Sequence, residues 1–232
     1  MINGIEILKE LHSLKENFIK SYNFKKLENI LNNVKLEKFP IIENLNEFQI
    51  RTILEDVKLF EILTKLLVHH NIKYRINPFT FEENFIKFIN GEILENVSES
   101  ELFLYELALK IYGIGFKILW TYLKKNLNTE LFDKNYCPIC GFDFEYTYID
   151  NEMNKFLVCG LCDYAWKYPY NKCPFCESSE GNLKYFYLND NCDFLQICEC
   201  GKCNKFHKVL IVDKINNYSS LHEAYFDTLS IF

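Results

Sequence analysis

Cysteine is the residue type in this sequence whose spacing most clearly indicates chemistry. All ten cysteines lie between Cys137 and Cys203, and eight of them form four pairs with two residues between the partners. These CxxC pairs are Cys137 with Cys140, Cys159 with Cys162, Cys173 with Cys176, and Cys200 with Cys203. Two such turns can place four thiolates about 2.3 Å from one ion, which completes a tetrahedral S4 site. We therefore interpret the eight paired cysteines as ligands of two metal ions per chain, either iron or zinc.

The spacing between the pairs bears on which of them share an ion. The first and second pairs are separated by 18 residues, the second and third by 10, and the third and fourth by 23. Zinc-ribbon spacings of about 15–20 residues favour a sequential arrangement, first pair with second and third pair with fourth. A nested arrangement, second with third and first with fourth, stays open.

Other roles for the cysteines fit the sequence less well. Structural disulfides need an oxidising compartment, but the first residues lack the basic and apolar regions of a signal peptide. We therefore expect a cytoplasmic protein with reduced thiols. A thioredoxin-type site would use a single CxxC at the start of a helix.

Cys192 and Cys198 have no partner in this scheme and are interpreted as idle thiols. His207 is interpreted as a plain surface or core residue.

The sequence predicts no catalytic site. A metal ion with four thiolate ligands has no coordination position left for water or substrate, which argues against hydrolytic metal catalysis. The sequence also lacks the GxSxG, HExxH, Walker A and Rossmann motifs. We therefore expect that the protein is not an enzyme.

Short strands are predicted around the cysteines. Residues 142–149, 182–188 and 205–212 are alternating runs rich in aromatic and β-branched residues. Small ribbons bury too little apolar surface to fold alone, whereas a structural zinc ion contributes about 10–16 kcal/mol of apparent binding free energy. We therefore expect the bound metal to decide whether this half of the chain folds.

The first 136 residues are predicted to form a bundle of about five helices. Apolar residues recur there at spacings of three and four, and Ser98 with Glu101 forms a capping box at the start of the last helix. The Gly-Ile-Gly segment that starts at Gly113 is interpreted as a place of close helix packing, because no strand precedes it. His69 and His70 are interpreted as residues at a helix end, where the helix dipole favours a cation, in preference to a metal-binding role.

The positions of the cysteines divide the chain into three predicted domains of an α+β protein. We expect a helical bundle over residues 1–130, followed by two tandem rubredoxin-like, or zinc-ribbon, β modules over 131–170 and 171–232. Residues 1–136 carry 18 positive and 19 negative side chains, and residues 137–232 carry 8 and 13, so the cysteine-rich half is acidic.

The charge balance argues against nucleic acid as a partner. The chain has 26 Lys and Arg against 32 Asp and Glu, and arginine occurs only at Arg51 and Arg75. Arginine is the preferred residue for bidentate contacts with phosphate and guanine, so an acidic, arginine-poor chain is a poor candidate for duplex binding. No apolar run reaches the roughly 18–20 residues that span a bilayer, so we expect no membrane insertion.

The order of these features resembles the family of formate dehydrogenase accessory proteins, FdhE. The most specific segment is the pair of Cys159 and Cys162, followed by Trp166 and then by the pair that starts at Cys173. The helix predicted over residues 107–123 is similar to the last family helix before the first motif. The resemblance extends along most of the chain.

This resemblance implies a non-catalytic assembly factor, or chaperone, that binds the immature catalytic subunit of formate dehydrogenase in the cytoplasm. It also implies iron bound through the CxxC thiolates. Two other functions would use the same metal sites: that of a rubredoxin-like electron carrier and that of a zinc-ribbon protein that binds nucleic acid. The sequence leaves open whether the chain forms a homo-oligomer.

Overall fold

The computed structural model describes residues 4–231 except for a set of short gaps. The positions outside the description are 33, 73–77, 90–91, 93, 95–96, 125–126, 130–131, 180–181, 188–191 and 216. Six α-helices come first and a sheet follows, and a short α-helix with a 3-10 turn after it ends the described chain. None of the described helices combines the length and the apolar character that crossing a bilayer requires.

Six α-helices in the described residues form the N-terminal half. They are α1 (Gly4–Ser21), α2 (Phe24–Leu31), α3 (Glu47–Glu55), α4 (Leu59–His69), α5 (Pro78–Ile89) and α6 (Glu99–Leu123). The capping box predicted at Ser98 and Glu101 is confirmed at the start of α6, because each residue's side chain bonds the other's backbone N–H. Asn46 and Gln49 form a second capping box, at the start of α3.

Six strands form a single sheet in the C-terminal half. They are β1 (Phe144–Ile149), β2 (Lys155–Cys159), β3 (Ala165–Tyr168), β4 (Leu183–Tyr187), β5 (Leu195–Cys200) and β6 (Phe206–Ile211). The strand order is β3-β2-β1-β6-β5-β4, with antiparallel pairing inside each ribbon. The two ribbons join where β1 and β6 run parallel, with Thr147 opposite Val209.

The observed architecture confirms the predicted fold class, α+β with two cysteine-rich β modules after a helical bundle. The three predicted strands correspond to β1, β4 and β6, whereas β2, β3 and β5 were not predicted. The division into three domains stays a prediction, since residues 130 and 131 at its first boundary lie outside the described positions.

The helical bundle and the first ribbon share one apolar core. Buried side chains of α6 such as Ile114 and Ile118 belong to the same cluster as Leu157 and Trp166 of the ribbon. Trp166 is almost fully buried, and its indole Nε1–H donates to the Lys134 carbonyl at 3.0 Å. A tryptophan of this size in the core fixes the ribbon against the bundle, because its removal would leave a large cavity.

A second core lies under the C-terminal helix α7 (Leu221–Asp227). The Tyr225 ring of this helix stacks on Tyr146 of β1, with 4.3 Å between the ring centroids. Ser220 caps the helix by accepting a hydrogen bond from the Glu223 backbone N–H. The helix covers one face of the sheet where the two ribbons meet.

Candidate metal centres

All four CxxC pairs fold into the same tight turn. In each turn the backbone N–H of the first cysteine donates to the carbonyl oxygen five residues later. The four bonds are Cys137 to Phe142 (2.8 Å), Cys159 to Tyr164 (2.9 Å), Cys173 to Ser178 (2.8 Å) and Cys200 to Lys205 (2.9 Å). A repeated backbone turn places both sulfurs of a pair on one side of the chain, as a shared metal ion requires.

The residue after the second cysteine of every pair has a left-handed backbone. The four residues and their φ angles are Gly141 (76°), Asp163 (59°), Glu177 (56°) and Asn204 (55°). Glycine, asparagine and aspartate tolerate this conformation, whereas it costs other side chains more. Glycine, aspartate and asparagine at three of these four positions are therefore a signal for the turn that is visible in the sequence.

The first centre is formed by the first and second pairs. The sulfur of Cys137 lies 3.6 Å from that of Cys162, and the sulfur of Cys140 lies 3.5 Å from Cys159 and 3.8 Å from Cys162. The backbone N–H of Leu161 donates to the Cys159 sulfur at 3.3 Å. Such N–H donors stabilise a thiolate before any cation arrives.

The second centre is formed by the third and fourth pairs, so the structure has the sequential arrangement. The Cys173 sulfur lies 3.8 Å from that of Cys203, and the Cys176 sulfur lies 3.7 Å from that of Cys200. The backbone N–H of Phe175 donates to the Cys173 sulfur at 3.4 Å.

The sulfur positions fit a metal ion and do not fit disulfides. Metal–sulfur bonds of 2.3 Å in a regular tetrahedron separate the sulfurs by about 3.8 Å, and the observed separations run from 3.5 to 3.8 Å. A disulfide would bring two sulfurs to about 2.05 Å, and all ten cysteines are free. Each group of four cysteines could therefore hold one metal ion.

The two centres contain thiols of contrasting acidity. Burial raises the pKa of Cys137 and of Cys162, while hydrogen bonds from neighbouring thiols, that of Cys137 foremost, lower the pKa of Cys140. Burial also raises the pKa of Cys173 to about 12. Burial opposes ionisation of Cys200, but hydrogen bonds from backbone N–H groups and neighbouring thiols lower its pKa to about 7. A metal ion would displace the remaining protons, so its affinity should rise with pH.

The helical bundle encloses the first centre. The indole N–H of Trp120 in α6 donates to the Cys162 carbonyl at 3.0 Å. On the other side, the backbone N–H groups of Ile41 and Ile42 donate to the Pro138 and Ile139 carbonyls at 2.8 and 3.0 Å. The bundle therefore supplies main-chain and side-chain donors to both turns of this centre.

Helix α6 approaches the first centre so closely that only glycine fits at one position. A Cβ atom on Gly113 would lie 1.9 Å from the Leu161 carbonyl oxygen, inside the second CxxC turn. This contact confirms the expectation that the Gly-Ile-Gly segment serves close helix packing.

A buried ion network ties the first centre to the bundle. The Asp163 side chain, only 7% exposed, lies 3.3 Å from the Lys15 ammonium and 3.0 Å from the Lys117 ammonium. Lys117 also donates to Glu16 at 2.5 Å. Burial alone would raise the pKa of Asp163, but Lys15, His222 and Lys117 hold it well below its usual value. Asp163 therefore stays ionised at neutral pH and links α1, α6 and the second CxxC turn.

We expect Asp163→Asn to destabilise the protein by about 3–5 kcal/mol, because it leaves two buried ammonium groups short of a counter-charge. Asparagine keeps the shape and tolerates the left-handed backbone. A depressed carboxylate pKa contributes stability above the ordinary aspartate pKa of about 3.9 and loses it as pH falls. In urea unfolding, the difference in the free energy of unfolding between this variant and the wild type should therefore be constant above about pH 5. Below about pH 4 this difference should become smaller.

Asp227→Asn is the matched control for this prediction. Asp227 pairs with Lys9 at 2.5 Å on the protein surface, where both side chains are well exposed. Exposed ion pairs contribute about 0–1 kcal/mol. Equal losses of unfolding free energy in Asp163→Asn and Asp227→Asn would contradict a larger contribution from the buried network.

The second centre lies nearer to solvent. Cys176 and Cys203 are only half-buried, whereas the first centre has one such thiol, Cys140. Phe206, three residues after the last cysteine, is 59% exposed. The second centre is therefore the more accessible to large molecules.

The remaining cysteines lie outside both groups of four. Cys198 is fully buried in β5, opposite His207 of β6, and Cys192 is buried under α7. His207 is a buried core residue with its ring edge-on to Phe144 and Phe175. Burial lowers its pKa to about 3, so it is neutral at physiological pH.

Comparisons with known proteins find sequence similarity to proteins named FdhE. It is 27% identical over 169 residues to a protein FdhE homolog of Aquifex aeolicus, which covers 68% of this chain and 58% of that protein. It is 30% identical over 84 residues to protein FdhE of Escherichia coli K12, covering 35% of this chain and 27% of that protein. The chain thus spans less than two thirds of the length of these relatives. No family model matches the chain.

The fold agrees with a solved structure. The crystal structure of the FdhE protein from Pseudomonas aeruginosa superposes with a TM-score of 0.52 at 16% identity, and covers 96% of this chain and 80% of that one. Together with the relatives, this fold confirms the resemblance to the FdhE family that the cysteine motifs indicated.

Proposed function

We propose that this protein is a non-catalytic, cytoplasmic accessory factor of the FdhE type. It binds the immature catalytic subunit of a formate dehydrogenase and carries iron or zinc, one ion in each of its two four-cysteine centres. The observation that carries this proposal is the pair of four-cysteine groups on a fold shared with an FdhE protein. The similarity to proteins named FdhE supports the same proposal.

In this proposal the metal ions shape the surface that meets the partner. The ligands of the first ion are Cys137, Cys140, Cys159 and Cys162, and those of the second are Cys173, Cys176, Cys200 and Cys203. Four thiolates saturate a tetrahedral ion, so the centres supply rigidity rather than an open coordination position. The acidic charge of residues 137–232, 8 positive against 13 negative side chains, would steer a basic partner surface.

The test is co-purification with the partner. The full-length tagged chain should retain a molybdenum- or tungsten-dependent formate dehydrogenase catalytic subunit under anaerobic, low-salt conditions. A double variant, Cys173→Ser with Cys176→Ser, should retain less, because the second ribbon loses its ion. Cys192→Ser is the matched control and should behave as the wild type. Absence of any formate dehydrogenase subunit from the wild-type complex would refute the proposal.

A rubredoxin-like electron carrier is the second candidate, favoured by the half-buried thiols of the second centre. Thiolates near the surface shorten the distance to a redox partner. This function requires iron that is reversibly oxidised and reduced, and the thiolate-to-iron absorption should change reversibly with it. A colourless protein loaded only with zinc would exclude it and leave the accessory function intact.

A further inference from the structure

A third group of metal-ligating side chains lies in the helical bundle, far along the chain from the cysteines. Glu10 of α1 faces His69 and His70 at the end of α4. The Glu10 Oε2 atom lies 2.7 Å from His69 Nδ1 and 2.7 Å from His70 Nε2. One carboxylate oxygen thus meets two imidazole nitrogens, and the three atoms lie within 4.8 Å of one another.

The position of this group favours a cation. His69 is the last residue of α4 and His70 its C-cap. The unpaired carbonyls at a helix C-terminus carry partial negative charge. Within the described chain, the ion pairs of Glu10 shorter than 4.0 Å involve these two histidines and neither Lys nor Arg. The negative charge of Glu10 is therefore still available to a metal ion.

A second group of the same composition provides the contrast. His12, Asp163 and His222 also lie close together. There the carboxylate already holds the ammonium groups of Lys15 and Lys117. Two fixed positive charges repel an incoming cation, so one carboxylate and two imidazoles form part of an internal ion network at Asp163 but an open ligand set at Glu10.

We propose that Glu10, His69 and His70 bind a divalent zinc-type ion that links α1 to α4. Two imidazoles and one carboxylate are a ligand set that Zn²⁺ uses, with water in the fourth position. The ion would replace the two hydrogen bonds and spread the ligand atoms from 2.7 Å to about 3.3 Å, the edge of a tetrahedron with bonds near 2.0–2.1 Å. Each imidazole binds the ion through the nitrogen that now faces Glu10 and keeps one proton on its other ring nitrogen, so only an imidazolium would release a proton to solvent.

Solvent exposure makes this a reversible site. The side chain of His69 is 70% exposed, that of Glu10 28% and that of His70 17%. The bound ion would therefore exchange with solvent, unlike an ion held by four thiolates. The site is independent of the proposed function, because it shares no residue with the cysteine centres.

The experiment is zinc titration of the full chain whose cysteine centres are already filled with zinc. The protein is first dialysed against a weak chelator, and bound metal is counted by elemental analysis. Isothermal titration calorimetry with ZnCl₂ should then detect one further equivalent. Glu10→Gln and His70→Gln should each weaken this binding at least about tenfold, since a ligand is lost. Zinc should also raise the melting temperature of the wild type more than that of either variant.

His222→Gln is the matched control, because it removes a partly buried histidine, 16% exposed, from the other group. It should keep the third equivalent with unchanged affinity. No third equivalent in the wild type would overturn the proposal, and so would a third equivalent that persists in Glu10→Gln and His70→Gln. Circular dichroism of the zinc-free variants verifies that each remains folded, so weakened binding cannot be a folding defect.

Discussion

Cys162→Ser is expected to leave one bound metal ion per chain instead of two and to unfold the first ribbon. Cys162 is fully buried, and its carbonyl oxygen also accepts the Trp120 indole hydrogen bond. A structural zinc ion contributes about 10–16 kcal/mol of apparent binding free energy, which is as large as the whole stability of a typical domain, about 5–15 kcal/mol. Loss of the first ion should therefore disrupt the core that this ribbon shares with the bundle.

Elemental analysis and chemical denaturation measure this effect. Cys198→Ser and Cys192→Ser are the controls, since both cysteines are buried but lie outside the groups of four. Both controls should keep two ions per chain. A Cys162→Ser protein with two ions and wild-type stability would show that this thiol is not a ligand.

Gly113→Ala is expected to cost about 3 kcal/mol or more in the free energy of unfolding. The added methyl carbon would lie 1.9 Å from the Leu161 carbonyl oxygen. Neither partner can move away easily, because the Gly113 backbone is held in the α6 helix and the Leu161 carbonyl is held in a CxxC turn. Overpacking of this kind usually costs about 1–3 kcal/mol, and the contact with backbone places this substitution at the upper end.

Gly115→Ala is the matched control two residues along the same helix. There the added carbon would meet the flexible Leu54 side chain at 3.0 Å. Alanine is favoured over glycine inside a helix by about 1 kcal/mol, so this variant should stay within about 1 kcal/mol of the wild type. Equal stabilities of the two variants in urea unfolding would contradict the close approach of α6 to the second CxxC turn.

The sequence was sufficient to predict the parts of the site that follow from local spacing. The CxxC pattern predicted the grouping of eight cysteines into two sets of four, which the structure contains, and their role as metal ligands stays a prediction. The capping box at Ser98 and the packing role of Gly113 are confirmed as well. These features depend on residues a few positions apart, or on the absence of a side chain, and both are visible in a single sequence.

Features that depend on distant residues were not predicted. The parallel pairing of β1 with β6 joins residues about sixty positions apart, such as Thr147 and Val209. The ion network at Asp163 draws its partners from α1, α6 and α7. The left-handed Glu177 shows the same limit, because the turn around a CxxC pair imposes a conformation that glutamate itself disfavours.

The interpretation of His69 and His70 from the sequence rested only on their position at a helix end. Their place at the end of α4 agrees with the expected helix-end position. Their shared contact with Glu10 needs α1 to pack beside α4, and only the tertiary structure shows that.

X-ray absorption spectroscopy at the metal edge, on anaerobically purified protein of measured metal content, tests the central claim most directly. The four-cysteine centres predict two tightly bound ions per chain, each surrounded by four sulfur atoms at about 2.3 Å. Fewer than two such ions, a first shell dominated by nitrogen or oxygen, or sulfur–sulfur bonds between the paired cysteines would contradict it.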